Sequence, residues 1–145
     1  MKLLSHRGNI VGPISKYENT IPYIDAAIRT GFDVEIDLFF KNDRFYLGHD
    51  RPERDISIEY LLKNKSVLWC HAKTINTLYE LLRIEMHCFF HDVDKVTLTS
   101  KGIIWTFPDE EVTEKSVIVN NKSYVEQYPV KVYGICSDYI EKWRI

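Results

Sequence analysis

Residues 21–40 read IPYIDAAIRTGFDVEIDLFF, and this stretch predicts a helix that leads directly into a buried strand. Residues 21–30 carry apolar side chains at helical spacing, Pro22 suits the first turn, and Gly31 can end the helix. Residues 33–40 then alternate in the manner of a strand. The apolar side of the helix comprises Ile21, Ile24, Ala27 and Ile28. A helix that leads into a strand in this way is typical of parallel sheets.

The flanking sequence repeats this alternation of strands and helices up to residue 92. Ser57 can cap a helix that runs to Leu62, and residues 36–48 predict a strand that continues into a hairpin. After residue 92 the helical pattern fades, and only residues 122–128 suggest a helical turn or two. The other predicted elements are a helix at 74–84 and strands at 2–5, 66–73, 87–92, 96–100, 102–107, 116–120 and 131–138.

This order of elements predicts an α/β fold with eight parallel strands. Their centres fall near residues 3, 35, 68, 89, 98, 104, 118 and 134. Such a set predicts a miniature (β/α)8 TIM-like barrel whose outer helices are largely lost in its second half. The chain of 145 residues has no linker or internal repeat, so we expect a single barrel domain over residues 1–145.

The composition is that of an ordinary globular protein. Hydrophobic residues make up 45% of the chain, and 19 Lys and Arg against 21 Asp and Glu leave a formal charge of −2. This balance argues against a nucleic-acid partner or a strongly anionic membrane surface. No apolar run is long enough to span a membrane, and residues 5–8 interrupt the apolar start that a signal peptide needs. The spacing of Cys70, Cys88 and Cys136 predicts buried free thiols and a cytoplasmic location.

Polar side chains gather at the carboxyl ends of the predicted strands, and Glu35 and Asp37 are central among them. Residues two apart on a strand share a face, so both carboxylates are expected to project into the same space. A hard divalent cation would relieve their repulsion. His71 ends the next long strand, where a neutral imidazole could be a third metal ligand. The alternative for the two acids is a solvated edge strand.

Histidines and basic residues at the same strand ends suggest acid–base chemistry on a phosphate. His6 and His49 follow predicted strands, and a histidine is easily tuned to exchange a proton near neutral pH. Arg7 offers a planar fork for phosphate, and Lys73 shares a strand face with His71. Three of these residues also have interpretations without a function. His6 could be a surface residue, His49 could be the polar end of a hairpin, and the Lys73 side chain could extend to solvent.

Four motifs in the first 50 residues together resemble the amino-terminal half of glycerophosphodiester phosphodiesterases. They are SHRG at 5–8, ENT at 18–20, AAIRTGFDVEID at 26–37 and LGHD at 47–50. Thinner similarities follow in CHAK at 70–73, IWT at 104–106 and GICSDYI at 134–140. The order and spacing of the first four motifs are more specific than any one of them.

The resemblance implies a phosphodiesterase that uses one divalent metal, Mg²⁺ or Ca²⁺. His6 and His49 would be its acid and base, and Arg7 and Lys73 would contact the phosphate. The other implied site residues are the metal ligands Glu35 and Asp37 and the pocket carboxylate Glu18. His71 departs from the family, which has a glutamate at that position, and the chain is much shorter than a full member.

The resemblance further implies hydrolysis of a glycerophosphodiester-like small molecule of lipid metabolism. Trp105 is a candidate for contact with the alcohol part of the substrate, although core packing also explains it. One alternative is a catalytically weak or inactive module on the same fold that binds a phosphorylated ligand or a partner. Another is a metal-independent lyase of phosphodiesters. A barrel stripped of helices would expose apolar strand faces, which predicts a homodimer.

Overall fold

The computed structural model describes residues 1–145 and contains one sheet of ten strands with three short α-helices. The helices are α1 (Ile21–Arg29), α2 (Ile58–Lys63) and α3 (Ile75–Arg83), and a 3₁₀ helix spans Ile140–Trp143. The strands are β1 (Lys2–His6), β2 (Asp33–Lys41), β3 (Arg44–Leu47), β4 (Arg54–Ile56), β5 (Leu68–Ala72), β6 (Cys88–Phe89), β7 (Val96–Leu98), β8 (Ile104–Thr106), β9 (Ser116–Val119) and β10 (Gly134–Ser137).

The sheet is built around parallel strands in the order β6–β5–β2–β1–β10–β9–β8. Antiparallel strands extend it: β3 pairs with the end of β2, β4 pairs with β3, and β7 pairs with β8. The register places Glu35 beside His6 and Asp37 beside His71. The adjacent strands β1, β2 and β5 thus bring His6, Glu35, Asp37 and His71 to the same region of the sheet.

The predicted barrel of eight parallel strands is wrong. The sheet is mixed, it has ten strands, and only three short helices accompany it. The strand predicted near residue 98 is β7, which runs antiparallel to β8 because only residues 99–103 join the two. A parallel crossover needs a dozen or more residues, so this connection permits only a hairpin. The strand β4, which adds a third antiparallel pairing, was not predicted.

The predictions around the first helix are confirmed. α1 and β2 agree with the expected helix at 21–30 and strand at 33–40 to within one residue. The hairpin between β2 and β3 is also present. Its turn holds Asn42 and Asp43 at φ angles of 51° and 60°, the pair of left-handed residues that a type I′ turn requires. The helix capped by Ser57 is α2, where the Ser57 hydroxyl accepts from the Tyr60 amide at 3.0 Å.

The helical turns expected at 122–128 are wrong, because this segment contains no helix. The side chain of Asn120 donates instead to Glu126 and to the Tyr128 hydroxyl, and its Oδ1 accepts from the Lys122 amide. Side-chain bonds to the nearby backbone compete with helix formation and favour a loop.

The alternation along the strands separates an apolar side from a side that carries the polar site. Val34, Ile36 and Leu38 pack with the helices in the largest apolar cluster, whereas Glu35 and Asp37 project to the opposite side. That opposite side also holds an apolar cluster comprising Leu4, Trp69, Phe89, Trp105, Val117, Val119 and Cys136. The two carboxylates therefore lie next to packed side chains and are buried.

The three cysteines are buried free thiols, as expected. None of the helices combines the length and apolar character that crossing a bilayer requires.

Candidate functional site

A cavity of about 560 Å³ lies where the carboxyl ends of the parallel strands meet. The predicted site residues that line it are His6, Arg7, Glu35, His49, His71, Lys73 and Trp105. Asp37 and Glu18 do not line the cavity, but both contact Arg7 from behind its wall. The lining residues outside the predicted set are Phe90, His91, Asp92, Phe107, Val119 and Asn121.

Asp37 is fully buried in β2 and is surrounded by four polar side chains. Asn19 Nδ2 donates to Asp37 Oδ2, and Asn19 Oδ1 accepts from the Asp37 amide, each at 3.0 Å. Arg7 Nε lies 2.9 Å from the same Oδ2. His71 Nδ1 and Lys73 Nζ lie 3.1 Å and 3.7 Å from Oδ1. Burial alone would raise the pKa of Asp37, but the bond to His71 and the charge of Arg7 hold it well below its ordinary value.

Glu35 is also buried, yet it has much weaker support. Its Oε2 has no hydrogen-bond partner and lies 3.8 Å from His6 Nε2, while Oε1 lies 3.8 Å from His71 Nδ1. Burial and the neighbouring Asp37 charge raise the pKa of Glu35 above its ordinary value. A buried carboxylate without close partners is costly unless a cation or a proton compensates its charge.

Glu35, Asp37 and His71, the three predicted metal ligands, fit a divalent cation. One donor atom of each lies within 4.8 Å of the other two, and all three residues are buried. Asp37 Oδ1 lies 3.1 Å from His71 Nδ1 and 3.7 Å from Lys73 Nζ, whereas Glu35 Oε2 has no hydrogen-bond partner in the protein. Since buried polar atoms in folded proteins nearly always have partners, this unsatisfied group is evidence for a further ligand. The chain contains no other group of three His, Cys, Asp or Glu side chains whose donor atoms lie this close together.

His6 is oriented by a carboxylate. Its Nδ1 lies 2.8 Å from Asp138 Oδ1, which also accepts from Asn9 Nδ2 at 2.8 Å. This leaves Nε2 directed toward Glu35. Burial lowers the pKa of His6, but the hydrogen bond to Asp138 and the charge of Glu35 outweigh burial and raise it above its ordinary value. An imidazole fixed through one nitrogen is suited to proton transfer through the other.

Arg7 has a left-handed backbone, with φ at 57°, which is uncommon for a residue other than glycine. Its amide donates to the Glu35 carbonyl at 2.9 Å, and its carbonyl accepts from the Asn19 amide at 3.0 Å. Arg7 Nη1 lies 3.4 Å from Glu18 Oε2, and Glu18 Oε1 accepts from Asn9 Nδ2 at 2.9 Å. Glu18 thus supports Arg7 and does not itself line the cavity.

His49 reaches the cavity from the loop after β3 and is the least enclosed of the predicted catalytic residues. Its side chain is 45% exposed, and its Nδ1 lies 2.7 Å from Asp50 Oδ1. The loop is tight: a Cβ on Gly48 would lie 1.9 Å from the Arg51 carbonyl oxygen. Only glycine therefore fits immediately before His49.

Aromatic rings form one wall of the cavity and hold the plane of His71. The His71 ring stacks on Phe89 at 5.0 Å and on His91 at 4.4 Å between centroids. Trp105 is buried against Phe89, with centroids 4.4 Å apart, and Phe107 meets His91 edge-on. Trp105 therefore combines core packing with a position on the cavity wall.

Three residues of this site were not among the predicted site residues: Asn19, Asp138 and His91. Asn19 stands in the ENT motif, but Thr20 is the N-cap of α1, so the Asn19 side chain is available to Asp37. Asp138 and His91 lie at the carboxyl ends of the predicted last and fourth strands, and that position is the only signal for either residue in the sequence. Their contacts with His6 and His71 depend on strand pairing across the sheet.

Comparisons with protein-family models, with curated proteins and with solved structures gave no match for this chain. The function is therefore inferred from the geometry of the cavity.

Proposed function

We propose that this protein is a metal-dependent phosphodiesterase that cleaves a small glycerophosphodiester-like substrate. The observation that carries the proposal is the convergence of two histidines, two cationic side chains and the Glu35–Asp37–His71 cluster on one cavity. Cleavage of a phosphodiester requires neutralisation of the phosphate charge and proton transfer at both the attacking and the leaving oxygen. The cavity offers residue types suited to each of these tasks.

The phosphate is neutralised by side chains on the cavity wall. Arg7 has five N–H donors, and its contacts with Asp37 and Glu18 leave donors for a phosphate oxygen. Lys73 Nζ, 3.7 Å from Asp37 Oδ1, adds a second positive charge. A divalent cation held by Glu35, Asp37 and His71 would supply further positive charge against the phosphate oxygens.

Proton transfer is assigned to His6 and His49. One of them accepts a proton from the attacking water or substrate hydroxyl, and the other donates a proton to the leaving alkoxide. Asp138 fixes the Nδ1 side of His6, so that Nε2 is the nitrogen that exchanges the proton. Three buried thiols that form no disulfide favour a cytoplasmic setting for this reaction.

The proposal is tested by turnover of glycerophosphocholine and of an aryl phosphodiester with Mg²⁺, Ca²⁺, Mn²⁺ or Co²⁺ and after EDTA treatment. We expect cation-dependent turnover that falls about 100-fold or more in His6→Ala. The matched control is His87→Gln, which alters a buried histidine bonded to Thr99 outside the cavity and is expected to retain activity. Full turnover after EDTA contradicts the role of the metal, and turnover no higher than that of His6→Ala with every cation contradicts the enzymatic function.

One observation favours the alternative of a binding module. His49 is largely exposed and pairs with Asp50, and no hydrogen bond joins it to the buried part of the site. A module that only binds would hold glycerol phosphate without turning over any diester. Calorimetry with glycerol phosphate, run beside the turnover assay, separates the two functions.

A further inference from the structure

We propose that the Glu35–Asp37–His71 cluster selects a transition cation of the Zn²⁺ and Co²⁺ class over Mg²⁺ and Ca²⁺. The inference deepens the proposed phosphodiesterase function, on which its catalytic meaning rests, by naming the class of cation. It depends on three features of the cluster: the nitrogen donor, the small number of free oxygens, and the rigid placement of the imidazole.

The first feature is the chemistry of the donors. Ca²⁺ takes six to eight oxygen ligands, and Mg²⁺ prefers oxygen ligands with several retained waters. An imidazole nitrogen is instead typical of Zn²⁺ and other late transition cations. His71 Nδ1 lies 3.1 Å from Asp37 Oδ1 and 3.8 Å from Glu35 Oε1, so the nitrogen faces the carboxylates.

The second feature is the shortage of carboxylate oxygens. Asp37 Oδ2 already accepts from Asn19 and lies 2.9 Å from Arg7 Nε, which leaves Oδ1, the oxygen that faces His71, for a cation. Glu35 can add its two oxygens at most. Three protein residues and an open side toward the cavity match a catalytic zinc site, in which three side chains leave one position for water or substrate.

The third feature is that the imidazole cannot readily leave the cluster. The His71 side chain is 10% exposed, and its ring lies nearly parallel to those of Phe89 and His91, with interplanar angles of 11° and 10°. A rotation that turned the ring away would disrupt both contacts. A cation that enters the cluster therefore meets the nitrogen together with the oxygens.

The rest of the chain offers little competition for Zn²⁺ or Co²⁺. The three cysteines are buried. No second group of three His, Cys, Asp or Glu side chains has donor atoms within 4.8 Å of one another. A titration should therefore detect one site per chain.

The test is a calorimetric titration of the chelator-treated full chain with Zn²⁺, Co²⁺, Mg²⁺ and Ca²⁺, with the visible absorption of Co²⁺ as a second readout. We expect one Co²⁺ or Zn²⁺ per chain and weaker binding of Mg²⁺ and Ca²⁺. The variant His71→Glu should lower the ratio of Zn²⁺ to Mg²⁺ affinity by about tenfold or more, because it exchanges nitrogen for oxygen. Glu35→Gln should weaken every cation, whereas His87→Gln should leave the wild-type order unchanged.

The inference is overturned if the wild type binds Mg²⁺ or Ca²⁺ as tightly as Co²⁺, if no cation binds, or if His71→Glu leaves the affinity ratio unchanged. Circular dichroism checks that each variant folds, and His71→Gln, which removes the nitrogen without adding charge, replaces His71→Glu if that variant does not fold. Turnover that needs Mg²⁺ would uphold the phosphodiesterase and overturn the selectivity. Tight Co²⁺ binding with no turnover of any diester would uphold the selectivity and overturn the phosphodiesterase.

Discussion

The side chain of Asn19 makes both of its hydrogen bonds with one residue, Asp37. Both ends of its side-chain amide bond to Asp37, and its own backbone has φ at 53°, a conformation that asparagine tolerates better than most residues. We expect Asn19→Ala to lower the free energy of unfolding by about 1–3 kcal/mol, because the buried Asp37 amide loses its acceptor and Asp37 Oδ2 loses one of its two donors. Urea denaturation measures this loss, and a change below about 0.5 kcal/mol would contradict the role of these bonds.

Asp138 acts on the chemistry through His6. Asp138→Asn should lower kcat for a phosphodiester by about 100-fold or more while changing KM little, because His6 loses the acceptor that fixes its tautomer and orientation. The control is Asp50→Asn beside His49, where the carboxylate is 89% exposed and solvent screens the pair. An equal fall in kcat in both variants would be inconsistent with a positioning role for Asp138. A rise in KM with unchanged kcat would also be inconsistent with that role.

The sequence was informative about residue types and less so about their partners. Glu35 and Asp37 could be placed on one face because the period of a strand is two. Asn19 and Asp138 could not be placed in the same way, because their contacts with Asp37 and His6 span 18 and 132 positions of the chain. Contacts of that kind depend on which strands pair, and local pattern does not encode the pairing.

The loop after β3 shows how an element delivers one side chain to the site. Gly48→Ala would place a Cβ 1.9 Å from the Arg51 carbonyl, so the loop must move and displace His49. We expect a clear fall in turnover from this variant. Gly102→Ala is the control, since its backbone is also left-handed, with φ at 75°, but open space surrounds the new Cβ.

Gly102→Ala should therefore cost about 1 kcal/mol of stability through backbone strain and leave turnover near the wild-type level. Steady-state kinetics and thermal unfolding of the two variants provide the comparison. Equal activity of both variants would show that the placement of His49 does not depend on the tight loop.

Elements with a strong period were predictable, and short ones were not. α1 and β2 carry long, regular patterns, and their limits agree with the sequence. β4 has three residues, too few for a pattern to be recognised. The direction of β7 follows from the length of its connection to β8. Because only the five residues 99–103 join the two strands, the shortness of this connection was the signal in the sequence for a hairpin.

The stability of the whole molecule should depend on pH through His87. Burial and the charge of Lys101 lower the pKa of this histidine from 6.5 to about 4 in the folded protein. Below about pH 6.5 the unfolded chain takes up a proton that the folded protein does not, so the free energy of unfolding falls as the pH drops toward 4.

The expected loss for His87 is about 2 kcal/mol between pH 7 and pH 5. Urea denaturation at the two pH values should show a smaller loss in His87→Gln than in the wild type. Some dependence will remain, because burial and His71 also lower the pKa of His91 to about 4. The same pH dependence in both proteins would contradict the assignment to His87.

At the scale of the whole sheet, the alternation of strands and helices correctly predicted many parallel pairings. It wrongly predicted a barrel of eight parallel strands, whereas the structure has a mixed sheet of ten. Apolar runs identify strands, yet each run is compatible with either direction and with several neighbours. The pairing of β2 with β1 and with β5 joins distant parts of the chain, and it is this pairing that assembles the site.

The most direct measurement is anomalous diffraction from crystals soaked with Mn²⁺ and inorganic phosphate. If one cavity joins a cation and a phosphate, an anomalous peak lies between Glu35, Asp37 and His71, with phosphate density against the cation and within reach of Arg7 or Lys73. Soaked crystals without a cation at these three side chains, or with phosphate bound only elsewhere, would contradict the proposed site.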